Sequence, residues 1–257
     1  MYGERCRTLV GIKWNIRPIE IALDPTQSLR QPRERNEKQQ ARETKARDIF
    51  TRFCSGANLV ETSAPPSGGA AAPSAEWHVE TGDEPRWMAA YGLAADLIVA
   101  RRGTGDDVLA RSTLEAVLIE TGRPMLIPAA AAMPAAFERI AIAWKPTPQA
   151  ARAAACALPF LSRAKEVIVA TVEEEAEEAG DAERLVRNLA WHGFAAKTEA
   201  LKPGPEGAAA TLLTSLAGRA DLLVMGGYGH SRLREWVFGG FTQHILADAP
   251  LPVLMAH

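Results

Sequence analysis

From Phe137 to the C-terminus, short apolar runs alternate with segments of helical period, and this alternation constrains the fold more than any other feature. Arg139–Trp144 (RIAIAW) reads as a buried strand, after which Ala150, Ala151, Ala154, Leu158 and Leu161 recur at helical spacing. Glu166–Val172 is a second strand, Glu183–Trp191 a helix carrying Leu185, Val186 and Leu189, and Phe194–Leu201 a weaker third strand. Gly207–Gly218 is another helix, and Asp221–Met225 (DLLVM) a strong fourth strand. Ser231–Ala249 is helical in part, and Pro252–Met255 is the final strand. Five strands interleaved with four helices predict an open, mainly parallel α/β sheet with flanking helices. Thr147 is placed to cap the helix that Pro148 opens.

The front half repeats part of this order. Ala95–Val99 (ADLIV) matches Ala220–Val224 (ADLLV) at an offset of 125, and the prolines of Gly122–Ile127 and Ala249–Met255 differ by 128. Two apolar matches in the same order and at nearly the same offset predict a tandem duplication. Residues 1–130 are then a first copy, 131–136 a low-complexity linker and 137–257 the second copy, each copy built on a five-stranded type of sheet. The first copy looks incomplete. Only Thr8–Ile16 reads as a strand before the charged helix Arg33–Cys54, and residues 63–75 are a Pro/Gly/Ala loop. The expectation is a first copy without its opening β-α unit. The helix, with Ile49, Phe50 and Phe53 as its apolar face, reads as a covering helix.

Composition removes several classes. With 29 Lys+Arg against 31 Asp+Glu there is no basic field to hold nucleic acid. Cys6, Cys54 and Cys156 lie far apart, which fits a reduced, cytoplasmic protein and no metal site. No apolar run reaches the ~18 residues a membrane span needs, and the charged start is no signal peptide.

The chemistry-bearing constellation follows DLLVM. Gly226-Gly227-Tyr228-Gly229 is followed by nine residues, His230–Phe238, and then Gly239-Gly240-Phe241-Thr242. A strand in such a sheet ends at the crevice where ligands bind, and glycines there let main-chain N–H groups approach a phosphate. The helix after Gly240 presents further N–H groups and a partial positive charge, and Thr242 adds a hydroxyl. No Lys-Ser/Thr pair follows the glycines, and they follow the fourth strand rather than the first, so neither a P-loop nor a dinucleotide fingerprint is present.

The segment from Asp221 to Met255, with Gly226, Gly229 and Gly239 in a G-x-x-G, nine-residue, G pattern, resembles the universal stress protein family. So does AIAWKPTPQAARAAACALPFL, the opening strand and helix of the second copy. The likeness covers 137–257 well and 76–128 loosely. It implies the family's fold, of the adenine nucleotide alpha hydrolase-like kind, and a stress-response or signalling role. It also implies ATP or AMP, with or without Mg²⁺, between the first and fourth strands, the glycines at the phosphates, and Thr171 and Val172 near the base. Three positions depart from the family pattern. Gly240 replaces the usual Ser/Thr, Lys145-Pro146 replaces the Asp/Asn-Gly after the first strand, and the front half carries Arg101-Arg102-Gly103-Thr104-Gly105 in place of the glycine motif. Any nucleotide site therefore belongs to the second copy. The resemblance further implies an internal pseudo-dimer in which Pro124–Pro128 and Pro252–Met255 pair, with a homodimer as a further option.

Simpler readings stand beside these. The glycines could be tight turns alone, and Lys145 a solvated loop residue rather than a phosphate contact. Trp144 and Trp236 read as core or interface residues, and Glu173–Glu178 as a solvated loop. No carboxylate is spaced to act as a general base, so hydrolysis is at most slow. The alternative to a nucleotide binder is an interaction protein of the same fold that has lost its site.

Overall fold

The computed structural model of the 257-residue chain describes residues 8–15, 31–63, 73–81, 84–100, 108–129, 133–172, 179–228 and 240–257. They fall into two compact units, Met1–Trp87 and Met88–His257.

The first unit contains β1 (Thr8–Asn15), α1 (Gln31–Gly56), β2 (Val60–Glu61) and β3 (Ser74–Thr81), with a parallel sheet in the order β1-β3-β2. Its helix meets the sheet through Phe50, whose ring lies 5.2 Å from that of Trp77, and through buried Cys54. The Arg47 guanidinium lies 5.4 Å from both ring centroids and pairs with Glu61. The apolar face is narrower than expected: Ile49 and Phe53 remain 51% and 52% exposed, because the residues turned inward are Phe50 and Cys54, one helical turn apart.

The second unit carries β4 (Ile98–Val99), α3 (Val108–Glu120) and β5 (Met125–Ile127), after α2 (Glu84–Gly92), which crosses the boundary between the units. Then come β6 (Arg139–Ala143), α4 (Pro148–Leu161), β7 (Glu166–Val172), α5 (Ala179–Trp191), β8 (Lys197–Leu201), α6 (Ala208–Leu216), β9 (Leu222–Gly226), α7 (Gly240–Asp248) and β10 (Val253–Ala256). The five strands and four helices expected after residue 137 are all present. They join a seven-stranded sheet ordered β4-β5-β10-β9-β6-β7-β8, parallel throughout except where β10 meets β5. Leu254 stands opposite Leu126 in that antiparallel pair.

Alternation along the strands makes two cores. Leu126, Ile140, Ile142, Val167, Val169, Leu222, Val224 and Leu254 pack under Ala153, Ala154, Ala157 and Leu161 of α4 and Leu189 of α5. Their strand neighbours Met125, Ile127, Ala141, Ile168, Leu223, Met225, Val253 and Met255 face α3, α6 and α7. A strand buried on both faces must be apolar at every position, as LLVM is in β9.

Two expectations about organisation change. The compact units divide at Trp87/Met88 and not within 131–136, because β5 pairs with β10 and draws 88–130 into the larger sheet. The front half does open with a β-α unit, β1 and α1. Its element order departs from that of the second copy between β2 and β3, where no helix lies among the described residues. The repeated segments coincide with matching β-α-β units. Moved along by the offsets of 125 and 128, the β4/β5 pair Ile98↔Met125 becomes Leu223↔Val253, which is a pair of the β9/β10 register.

Candidate functional site

The carboxyl ends of three adjacent parallel strands define one edge. Ala143 of β6 pairs with Ala170 of β7 and with Met225 of β9. Counting onward in register, Trp144, Thr171 and Gly226 form the next row, and Lys145, Val172 and Gly227 the one beyond. The backbone therefore brings Lys145, Thr171, Val172 and Gly226 to the same edge, with Trp144 N donating to Ala170 O at 2.8 Å. Thr171 is buried, Val172 half-buried and Lys145 exposed.

Helix α4 begins at this edge. Thr147 is its N-cap and accepts from Ala150 N at 3.2 Å, with Pro148 in the first turn, as the Thr-Pro pair foretold. The helix runs so close to β9 that a Cβ on Gly226 would lie 2.5 Å from Ala150 N and 2.7 Å from the Gln149 carbonyl carbon. Gly226 is thus required by strand-to-helix packing. Gly227 is hemmed in less rigidly, since a Cβ there would come within 2.5 Å of Leu118 Cδ2, the tip of a side chain rather than main chain. Its N–H donates to Ala256 O at 2.9 Å, and its carbonyl faces His257 Nδ1 at 3.1 Å. Tyr228 adopts φ +54, a left-handed conformation that non-glycine residues rarely take. Its N–H points to Thr242 Oγ1 at 3.5 Å, and its hydroxyl donates to Glu115 Oε1 at 3.2 Å.

Across the loop, Gly240 opens α7 in free space, where an added Cβ would meet nothing within 4 Å. Thr242 is buried, and its hydroxyl is turned toward the Tyr228 amide. Gly229 and Gly239 lie outside the described residues, as do Arg101, Arg102, Glu173–Glu178, Arg232, Arg234 and Trp236.

Among the described residues, two buried polar atoms have no hydrogen-bond partner, Trp144 Nε1 and Gln149 Oε1, and both flank the β6–α4 loop. A groove of about 340 Å³ lies between α4 and α5, lined by Trp144, Leu158, Arg184, Asn188 and His192 among others. Of the predicted site residues that are described, Lys145, Thr171, Val172, Gly226, Gly240 and Thr242, none is among its lining residues. Among the described residues no three metal-ligating side chains converge. Sequence reasoning quoted Gly227 and Tyr228 in the glycine run without giving them a role, and passed over Gln149. The Gly-Gly doublet was a signal for the first, because two successive glycines after a buried strand imply close approach on both sides. The other two carry no mark outside the folded chain.

The edge has two parts an anion can use: an open helix start at Gly240 and a glycine turn leaving a central strand. It fits a phosphate-bearing ligand best on the Gly240 side, since the Cβ faces of Gly226 and Gly227 are already closed by protein. Fold and edge together define an open α/β protein with a glycine turn at the carboxyl end of a central strand.

The particular family enters by comparison: residues 155–257 match the model of the universal stress protein family. The fold resembles that of a universal stress protein from Archaeoglobus fulgidus DSM 4304, with a TM-score of 0.67 at 14% identity, over 97% of this chain and 87% of that one. A Pseudomonas aeruginosa UCBPP-PA14 structure assigned to the same family aligns with a TM-score of 0.50 at 14% identity, over 97% of this chain and 92% of its own. No curated relative matches the chain by sequence. Among the described residues no helix is long and apolar enough to cross a membrane.

Proposed function

We propose that the second half of the chain binds an adenine nucleotide, ATP or AMP, and that the protein acts through that binding in a stress response or signalling role in the cytoplasm. The observation that carries the reading is the junction of Gly226 and the Gly240 helix start at the carboxyl edge of the central strand β9, in a domain of this family. Gly226, Gly229, Gly239 and Gly240 would supply main-chain contacts to the phosphates, Mg²⁺ would offset their charge, and Thr171, Val172 and Lys145 border the remainder of the ligand. Thr242 contributes by holding the turn. No positioned base supports rapid turnover, so the role is binding, with ATP hydrolysis at most slow. The two β-α-β units of common register support a tandem origin, with β5 and β10 joined as an internal pseudo-dimer would join them.

One observation favours a nucleotide-independent interaction protein instead. Gly226 and Gly227 have complete packing explanations without a ligand. Titration calorimetry with ATP and Mg²⁺ separates the two. The nucleotide reading expects saturable binding that Gly229→Val abolishes, together with nucleotide in mass spectra of the purified protein. Absence of binding at millimolar ATP defeats it and leaves the interaction protein.

A further inference from the structure

We infer that helix α3, which comes from the front half of the chain, fixes the backbone where the glycine loop leaves β9, with Glu115 and Leu118 as positioning residues. The consequence for ligand affinity rests on the nucleotide reading above, whereas the anchoring itself does not.

The three residues Gly226–Tyr228 turn out of the sheet under unusual constraint. Tyr228 at φ +54 is in a conformation that costs on the order of 1 kcal/mol for a residue with a Cβ, and something must hold it there. Its main-chain N–H donates to Thr242 Oγ1 over a long 3.5 Å. Its side chain is better fixed: the ring packs on the core that includes Val117 and Leu118, and the hydroxyl donates to the Glu115 carboxylate at 3.2 Å. A hydrogen bond to a charged acceptor is among the stronger ones available to a half-buried phenol.

Leu118 acts from the same helix, one turn on. It is fully buried, and its Cδ2 occupies the volume a Cβ on Gly227 would need. Glu115 and Leu118 are three apart and share a face of α3, so one rigid surface meets two consecutive residues of the turn. From the other side, Gly227 is tied to Ala256 and His257 at the end of β10. The turn is therefore held between the last strand and a helix that precedes residue 130. That assigns the front half a task that needs no glycine motif: it buttresses the turn Gly226–Tyr228 in the other half.

The test uses the full chain and four proteins: wild type, Glu115→Ala, Glu115→Gln and Tyr228→Phe. Hydrogen exchange without nucleotide is followed at the amides of Gly227 and Tyr228, with β7 (Glu166–Val172) as the internal reference. Loss of the phenol–carboxylate bond should speed exchange at the turn about tenfold, the scale of one such hydrogen bond, in Glu115→Ala and Tyr228→Phe while β7 is unchanged. Glu115→Gln keeps an acceptor and should restore most of the protection. ATP affinity, by calorimetry, should fall about three- to tenfold in the first two variants and recover in the third. The inference is overturned if the turn exchanges as in wild type, if β7 loosens equally, or if Glu115→Gln behaves as Glu115→Ala. Should wild type bind no ATP, the nucleotide reading fails, while the exchange arm still decides the anchoring.

Discussion

The two halves of this chain hold similar strings of elements and treat them differently. In the second half, β6, β7 and β9 are apolar at nearly every position and are covered on both faces by helices. In the front half, β3 (SAEWHVET) interleaves Glu76, His78 and Glu80 with Ala75, Trp77 and Val79, and among the described residues joins only β1 and β2. A strand with charges on one face cannot be the middle of a doubly covered sheet, since burying an unpaired charge costs several kcal/mol. Only β4 and β5 join the large sheet, and Met125, Leu126 and Ile127 are all buried there. Strand composition, more than element order, decides which pieces of a repeated unit enter a common core.

The largest expected effect tests how tightly the second half is closed at its ligand-facing edge. Gly226→Val would drive side-chain atoms into main-chain atoms of Gln149 and Ala150, which cannot rotate away. A loss of about 3 kcal/mol or more is expected in urea unfolding, at the upper end of overpacking effects. Unchanged stability would show that α4 does not rest on β9 as described. The next effect contrasts cores directly. Leu222→Ala empties a site with no exposure and should cost about 3 kcal/mol, whereas Phe53→Ala, at a side chain 52% exposed, should stay within about 0.5 kcal/mol. Equal losses would break the comparison between the halves.

The legibility of the chain followed the same division. Every strand and helix after residue 137 could be read from period, because a doubly buried strand is an uninterrupted apolar run and α4 announces itself by Thr147-Pro148 and its alanines. The two proline-led segments were legible as a repeat, while their pairing as β5 and β10 was expected only from the resemblance to the family. The front half was legible only in part: Thr8–Ile16 and Arg33–Cys54 read as the strand and helix found as β1 and α1, but β2 and β3 were missed. Val60–Glu61 is too short to carry a period, and β3 resembles a polar loop until Phe50 and Trp77 meet. At the candidate site the glycine spacing was visible, but what presses on Gly226 and Gly227 was not. Those neighbours, Ala150 and Leu118, are 76 and 109 residues away, and only the strand order brings them close.

The smallest expected effect compares an ion pair from each half. Arg47 and Glu61 in the first unit are 38% and 40% exposed, so Glu61→Gln should change stability by about 0.5 kcal/mol or less. Asp221 in the second is different. Its side chain is only 15% exposed, and it accepts from the main-chain N–H groups of Glu138 and Arg139 as well as from the Arg139 guanidinium at 2.6 Å. These contacts tie the start of β6 to the start of β9. The Arg139 hydrogen bond, against a smaller opposing effect of burial, holds the Asp221 carboxyl below its ordinary value of 3.8. A carboxyl lowered in the folded state binds protons more readily when unfolded. Its contribution is therefore complete above the ordinary carboxylate value and drains away as pH falls through the lower, folded one. Asp221→Asn should cost about 1–2 kcal/mol near neutral pH. The gap between wild type and variant should narrow below about pH 4, measured by urea unfolding across the acid range. A gap that stays constant down to pH 2 would mean the Asp221 contacts contribute through shape alone, and the contrast between the two ion pairs would then rest on burial and not on charge.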